Sequence, residues 1–296
     1  MIEDVSAWSV VDIEAEGSDA KEWLADPRDD RWLCKPAVTP ENGVQQGEDW
    51  SEWLAAEVAT SLVVPHATIL MATRNGAPAA LSRSLRATDE ELQAGAVLLQ
   101  GVAGFVPRSK ARTGHNLRNI RAVLENVTPP QGWAGPTGDG AAFGVFCGYL
   151  VFDALIANTD RHEENWAVIR GKNAVVRLCA SYDHATSLGF NLSDERRDQL
   201  AEDPGRLQAW LERGTARRFE GGRHLTLVRH AVQALDLAAP WARTWWARAV
   251  HDLDVDSLRL LIDAAAPPSM SAQARSFAIQ LVETNRRRLL DEFSVA

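Results

Sequence analysis

A short polar stretch, NTDRHEENW at 158–166, follows a long apolar run and precedes a second apolar segment. Within it, Asp160 and Asn165 are five positions apart. The same spacing separates a proton-accepting aspartate from a Mg²⁺-binding asparagine in enzymes that transfer phosphoryl groups. Such transfer needs mainly a base, cations and metal ligands at fixed positions. The stretch therefore indicates phosphoryl-transfer chemistry, and the alternative is a polar turn that caps the next element.

Two further side chains could complete such a site. Asp183, in LCASYDHATSLGF, is the next carboxylate suited to a metal, because it follows a short predicted hairpin and precedes a glycine. Lys35, in the apolar segment RWLCKPAV, is either an edge residue whose amine reaches solvent or a ligand for nucleotide phosphates. The order of these residues along the chain favours the phosphate role.

The segments around Lys35 could support it. Glu52 and Glu57 lie on a predicted helix at 48–62 and are candidate ion-pair partners for the lysine. The turn EGSDAK at 16–21 could close over phosphates through its backbone N–H groups. Within this turn, the candidate residues for binding the nucleotide cofactor are Gly17, Ser18 and Lys21.

The elements that must position these residues differ between the two halves. The first half predicts strands at 8–13 and 31–38 and a hairpin around Asn75-Gly76. The second half predicts a buried helix at 139–158, with Asp139 as its N-cap, and helical segments from about 194 to 293.

Composition limits the classes of function. The 296 residues are 46% hydrophobic and carry a net charge of −9, so we expect a globular protein that does not bind nucleic acid directly. The three cysteines are far apart and show no CxxC spacing, and no apolar window reaches membrane-spanning length. We therefore expect a cytoplasmic protein with no membrane span.

Read together, the segments WLCKP, GEDWSEWLAAEVA, LVVPHA, NTDRHEENW and SYDHATSLG resemble the HipA-like serine/threonine kinases. The string NxDRHxxNW is also similar to the corresponding loop of phosphoinositide kinases. The resemblance implies an α+β, two-lobed protein-kinase-like fold. We expect a small β-rich N-terminal lobe at 1–85, and a mostly helical C-terminal lobe at 86–296 that contains the catalytic loop and the metal site.

The same resemblance implies a role for each site residue. Asp160 is the expected base, Asn165 and Asp183 the expected Mg²⁺ ligands, and Lys35 the residue that contacts the phosphates of ATP. Glu52 would orient Lys35. The expected cofactors are ATP and Mg²⁺, and the expected substrate is a Ser/Thr hydroxyl of a protein, the chain itself included. An antitoxin-like protein is a candidate partner.

Two other functions stay open at this point. The loop's similarity to phosphoinositide kinases allows a kinase for lipids or small molecules, although the acidic net charge disfavours work at an anionic membrane surface. A pseudokinase that binds nucleotide or protein without turnover is the second, and the occupied catalytic positions disfavour it. The chain has neither an HExxH nor a PCxxC motif, which argues against metalloproteases and deaminases.

Overall fold

The computed structural model describes residues 2–14, 21–37, 39, 46–172 and 175–295. These residues form a β-sheet N-terminal lobe and a helical C-terminal part. No helix among them is long and apolar enough to cross a membrane.

Six strands within the described residues form the N-terminal sheet, in the order β1-β5-β6-β4-β3-β2. The strand β1 pairs with β5 in parallel, and all other neighbours are antiparallel. Their bounds are β1 (Glu3–Asp4), β2 (Ser9–Glu14), β3 (Lys21–Ala25), β4 (Arg31–Pro36), β5 (Ile69–Arg74) and β6 (Ala77–Arg83).

The predicted N-terminal strands are confirmed as β2 and β4, and the predicted hairpin as β5 and β6. Its turn residues Asn75 and Gly76 both have positive φ, at 51° and 81°, as a type I′ hairpin turn requires. One prediction was wrong: Lys21 does not lie in a turn but begins β3. The charged pair Lys21-Glu22 weakens the strand pattern, while Leu24 is fully buried and holds β3 in the sheet.

Helix α1 (Glu48–Ser61) packs against β5 and β6, and the predicted helix at 48–62 is confirmed. Its two tryptophans, Trp50 and Trp53, are buried, and so is the polar side chain of Glu52. A carboxylate rarely occupies such a position without a partner. The helix therefore supports both the hydrophobic core and the polar site described below.

Helix α4 (Ala141–Ile156) is buried at every residue, which confirms the predicted core helix. The prediction of Asp139 as N-cap was wrong. The N-cap is Gly140 in the left-handed region, with φ of 72°, and no side chain caps the helix. At the other end Ala157 is also left-handed, with φ of 56°, and the N–H of Asn158 donates to the carbonyl of Asp153 at 2.8 Å. This C-terminal turn directs the chain into the polar loop at 158–165.

The remaining described elements complete the C-terminal part. A small antiparallel sheet, in the order β7-β8-β9, lies beside the polar loop and confirms the predicted hairpin after it. The predicted helical region from 194 onward is also confirmed. The bounds are β7 (Glu91–Ala94), α2 (Gly95–Leu99), α3 (Leu117–Val123), β8 (Ala167–Arg170), β9 (Val176–Leu178), α5 (Asp194–Ala201), α6 (Pro204–Glu212), α7 (Leu227–Leu237), α8 (Pro240–Asp252), α9 (Val255–Ala265) and α10 (Ala272–Val295).

Candidate active site

Lys35 lies between two carboxylates from distant parts of the chain. Its Nζ is 3.0 Å from Oε2 of Glu52 and 2.7 Å from Oδ1 of Asp183. Burial alone would lower the pKa of Lys35, but the two carboxylates raise it well above its ordinary value. The lysine is therefore a permanent cation that joins β4, α1 and the segment around Asp183.

Glu52 is fixed by contacts on both of its oxygens. While Oε2 accepts from Lys35, Oε1 accepts from the backbone N–H of His184 at 3.0 Å. Burial would raise the pKa of this carboxyl, and the charge of Lys35 together with the bonds from His184 lowers it below its ordinary value. The buried glutamate is thus ionised and holds Lys35 in one orientation.

Asp183 occupies a backbone conformation that non-glycine residues seldom adopt, with φ of 62°. The neighbouring Ser181 and His184 hold this turn, because the Ser181 hydroxyl lies 2.7 Å from Nε2 of His184. The charge of Lys35 lowers the pKa of the Asp183 carboxyl, and Lys21 on β3 contributes in the same direction. Non-glycine residues held in this backbone region cluster at functional sites.

Arg161 is the buried centre of the polar loop. Its guanidinium donates to both carboxylate oxygens of Asp153, at 2.7 and 2.8 Å, and to the carbonyl of Asn165 at 2.8 Å. A further bond of 2.9 Å reaches the hydroxyl of Ser181. Burial would lower the pKa of Arg161, but the charge of Asp153 raises it. Arg161 thereby ties the loop to α4 and to the turn that carries Asp183.

Within the loop, Asp160 and Asn165 are held against each other. The amide Nδ2 of Asn165 donates to the carbonyl of Asp160 at 2.9 Å, and the N–H of Asp160 donates to Oδ1 of Asn158 at 3.0 Å. The carboxylate oxygen Oδ1 of Asp160 accepts from Nε of Arg218 at 2.5 Å and from Nη2 of the same side chain. His162 lies beyond Oδ2, at 4.0 Å, and burial lowers the pKa of this imidazole.

A second buried contact fixes the far end of the loop. The indole of Trp166 donates to Nε2 of His115 at 3.2 Å, so His115 must donate from Nδ1 to the carbonyl of Arg218, at 2.7 Å. The imidazole stacks on Phe219, with ring centroids 4.5 Å apart. Burial lowers the pKa of His115 to about 4, so the ring is neutral near pH 7. This chain of contacts joins the loop to the segment that carries Arg218.

The donor set suits a hard divalent cation. Nδ2 of Asn165 donates to the carbonyl of Asp160, and no described residue donates to Oδ1 of Asn165. Lys35 donates to Oδ1 of Asp183, and no described residue donates to Oδ2 of this carboxylate. No group of three or more His, Cys, Asp or Glu side chains could hold a metal within the described part of the chain. An amide and a carboxylate oxygen match the way Mg²⁺ is held jointly by protein and phosphate oxygens.

The structure brings the predicted residues into two groups, one formed by Lys35, Glu52 and Asp183 and the other by Asp160 and Asn165. Gly17 and Ser18 lie outside the described residues.

Sequence reasoning missed Asp153, Arg161 and Arg218 as parts of the site. A lone aspartate in the apolar run of α4 is the signal that could have indicated Asp153 and its partner Arg161. Arg218 is 58 positions from Asp160, and no local pattern links the two.

Three features together define a protein-kinase-like fold. They are a lobe built on a β-sheet, a helix whose glutamate pairs with a lysine on a strand, and a polar loop that follows a buried helix. The crystal structure of a Helicobacter pylori proinflammatory kinase, CtkA, matches with a TM-score of 0.77 and 16% identity, over 100% of this chain and 98% of that chain. A chain from the Shewanella oneidensis MR-1 complex of the toxin–antitoxin system HipA, HipB and its operator DNA matches with a TM-score of 0.55 and 12% identity, over 98% of this chain and 66% of that chain.

At these identities the likeness establishes the fold alone, and the predicted α+β, two-lobed protein-kinase-like fold is confirmed. No protein-family model and no curated protein matches the chain.

Proposed function

We propose that the chain is an ATP-dependent phosphotransferase that moves the γ-phosphoryl group of ATP to a Ser or Thr hydroxyl of a protein, itself included. One observation carries the proposal. Arg161 bonds both to the loop that contains Asp160 and Asn165 and to Ser181, two positions before Asp183. One buried arginine therefore connects the segments that carry the candidate base and both candidate metal ligands. Lys35 adds a fixed cation beside Asp183.

The chain's own residues have distinct roles in this proposal. Asp160 orients the acceptor hydroxyl and accepts its proton through Oδ2, the oxygen that Arg218 leaves open. Lys35 neutralises charge on the nucleotide phosphates, and Glu52 keeps its amine in place. Asn165 and Asp183 would hold Mg²⁺, which supplies charge neutralisation at the phosphates when bound. Lys21, whose charge acts on Asp183, would face the phosphates from β3. Gly17 and Ser18, which lie outside the described residues, are proposed to contact the phosphates as well.

We also propose where the nucleotide binds, where the protein is located and what kind of partner it has. The nucleotide would bind between a lobe at 1–85 and a lobe at 86–296. The cytoplasm is the proposed location, since Cys34, Cys147 and Cys179 are all free thiols. An antitoxin-like protein is a proposed partner, supported by the fold likeness to a chain of the HipA and HipB complex.

Transfer from labelled ATP tests the proposal. The purified chain is incubated with Mg²⁺ and γ-labelled ATP, alone, with Ser/Thr peptide pools, and with phosphoinositide vesicles. We expect label on protein or peptide and none on lipid. Label confined to lipid would support the lipid kinase instead. An absence of label, with ATP still raising the melting temperature, would contradict phosphoryl transfer and leave a nucleotide-binding module.

A further inference from the structure

Arg218 contacts the candidate base directly, and this contact leaves part of its guanidinium unused. Nε and Nη2 both donate to Oδ1 of Asp160. No described residue accepts from Nη1, and the side chain is 29% exposed. Arginine presents its donors in a planar fork, so one guanidinium can bind a carboxylate on one edge and a phosphate on another.

The segment that carries Arg218 is fixed by backbone bonds. The carbonyl of Arg218 accepts from His115, and the N–H of Glu220 donates to the carbonyl of His115 at 2.8 Å. Phe219 is buried between His115 and His230, with ring centroids at 4.5 and 4.3 Å. Arg218 therefore reaches Asp160 from an ordered turn, as a catalytic cation must.

Two other cationic side chains of the site, Arg161 and Lys35, bond to groups other than the carboxylate of Asp160. Arg161 is 2% exposed, and Asp153, Asn165 and Ser181 use its donors. Lys35 is held by Glu52 and Asp183. His162, two positions after the candidate base, has its Nε2 4.0 Å from Oδ2 of Asp160, which is beyond hydrogen-bond distance. Among the described residues of this region, Arg218 is the cation that combines contact with Asp160 and free donors.

We propose that Arg218 is a catalytic residue that binds the transferred phosphoryl group through Nη1 while it holds Asp160 through Nε and Nη2. This inference rests on the proposed function. In the step, the acceptor oxygen forms a bond to the γ-phosphorus, and the bond from that phosphorus to the β–γ bridging oxygen breaks. The electron pair leaves with ADP, and the hydroxyl proton moves to Oδ2 of Asp160. Arg218 stays protonated and stabilises the charge on the phosphoryl oxygens.

The test compares Arg218→Met and Arg218→Lys with Arg217→Met, a change at the exposed neighbouring arginine. We expect Arg218→Met to lower the rate of phosphoryl transfer by about 10²–10³-fold, the usual effect of losing one preorganised donor to transition-state charge. The Kd for ADP should stay the same, whereas affinity for ADP with aluminium fluoride, a mimic of the transferred group, should fall. Added guanidinium ion should restore part of the rate of Arg218→Met. Arg217→Met should behave as wild type.

A different outcome separates the alternatives. Transfer by Arg218→Met that equals or exceeds the wild-type rate would overturn the inference, and a faster rate would make Arg218 an inhibitory latch on Asp160. A slower variant with unchanged affinity for the fluoride complex and no rescue by guanidinium would also overturn it, because the arginine would then only support the loop. If the methionine variant does not fold, the same comparisons are made with Arg218→Lys, which retains the charge. If the wild-type chain itself transfers no phosphate, the proposed function fails first.

Discussion

The amine of Lys35 lies 2.7 Å from the carboxylate of Asp183, although 148 positions separate the two residues in the sequence. The same amine binds Glu52 on α1. A single, mostly buried cation therefore holds together the N-terminal sheet, helix α1 and the turn that follows the small C-terminal sheet. This arrangement places a fixed positive charge beside a carboxylate whose other oxygen, Oδ2, receives no hydrogen bond from a described residue.

Lys35→Met should destabilise the protein strongly, because it leaves Glu52 and Asp183 close together without their cation. Breaking a buried pair by removing one partner costs about 3–5 kcal/mol. We expect a loss of this order in the free energy of unfolding, measured by urea denaturation. The double variant Lys35→Met/Glu52→Gln should lose less than the sum of the single variants, because the two side chains share one interaction.

The control for this experiment is Lys172→Met. Lys172 pairs with Asp89 at 3.1 Å, but both side chains are largely exposed. Removal of such a pair changes stability by about 0–1 kcal/mol. Equal effects of the changes at Lys35 and Lys172 would show that the contacts of Lys35 do not contribute to folding.

Much of this fold could be predicted from the sequence, because strong local patterns determine it. The apolar run of α4, the helical spacing in α1 and the Asn75-Gly76 turn all fold as their patterns predict. The strand β3 could not be predicted in this way, because its first two residues are charged and obscure the strand pattern. Its stability comes from pairing with β2 on one side and β4 on the other.

The candidate site could likewise be predicted from the sequence only where its pattern is local. The five-residue spacing of Asp160 and Asn165 is such a pattern, and the structure holds the two residues together. The contact of Arg218 with Asp160 depends on how the turn at 216–222 packs against His115, which is a tertiary relationship. The catalytic and metal-binding roles of the predicted residues stay predictions.

Arg161→Met should impair stability and phosphoryl transfer together. The change removes the cation that faces the buried carboxylate of Asp153, and it removes one donor each from the carbonyl of Asn165 and the hydroxyl of Ser181. We expect a loss of about 3–5 kcal/mol in the free energy of unfolding and a large drop in the transfer rate, measured in the same preparation below its melting temperature. Arg170→Met is the control, because Arg170 bonds to Gln93 at an exposed position. Normal transfer by a folded Arg161→Met variant would contradict the role given to this network.

Stability should fall as the pH is lowered from about 6.5 to about 3. Burial lowers the pKa of His115 to about 4 and that of His230 to about 3, while histidine in an unfolded chain titrates near 6.5. In this window the unfolded chain binds more protons than the folded chain, so acid favours unfolding, and above about pH 6.5 these two groups have no effect. The shift of His115 corresponds to about 3 kcal/mol at pH 4.

Urea denaturation at pH 8 and pH 5 measures this effect, and His230→Leu isolates one group. Neither ring nitrogen of His230 has a hydrogen-bond partner within the described structure, so leucine should preserve stability at pH 8 and reduce the loss at pH 5. The exposed His224 provides the control, since His224→Leu should keep the full pH dependence. The same loss in both variants would contradict the assignment to His230.

The three thiols should be unreactive in the native protein. Burial raises the pKa of Cys34 to about 11 and that of Cys179 to about 12, and it raises the pKa of Cys147 well above its ordinary value. With Ellman's reagent at pH 8 we expect almost no reaction from the folded chain and three equivalents in denaturant. A thiol that reacts quickly in the native state would show that one of these positions opens to solvent.

We propose that Asp160 acts as the base of a phosphoryl transfer from ATP, and the transfer rate of Asp160→Asn tests this role most directly. The matched control is Asp198→Asn, at an exposed position on α5. With γ-labelled ATP and Mg²⁺, the account predicts that Asp160→Asn loses about 10²–10⁴-fold in rate while it still binds ATP, and that Asp198→Asn matches the wild type. An Asp160→Asn chain that transfers phosphate as fast as the wild type would contradict the account.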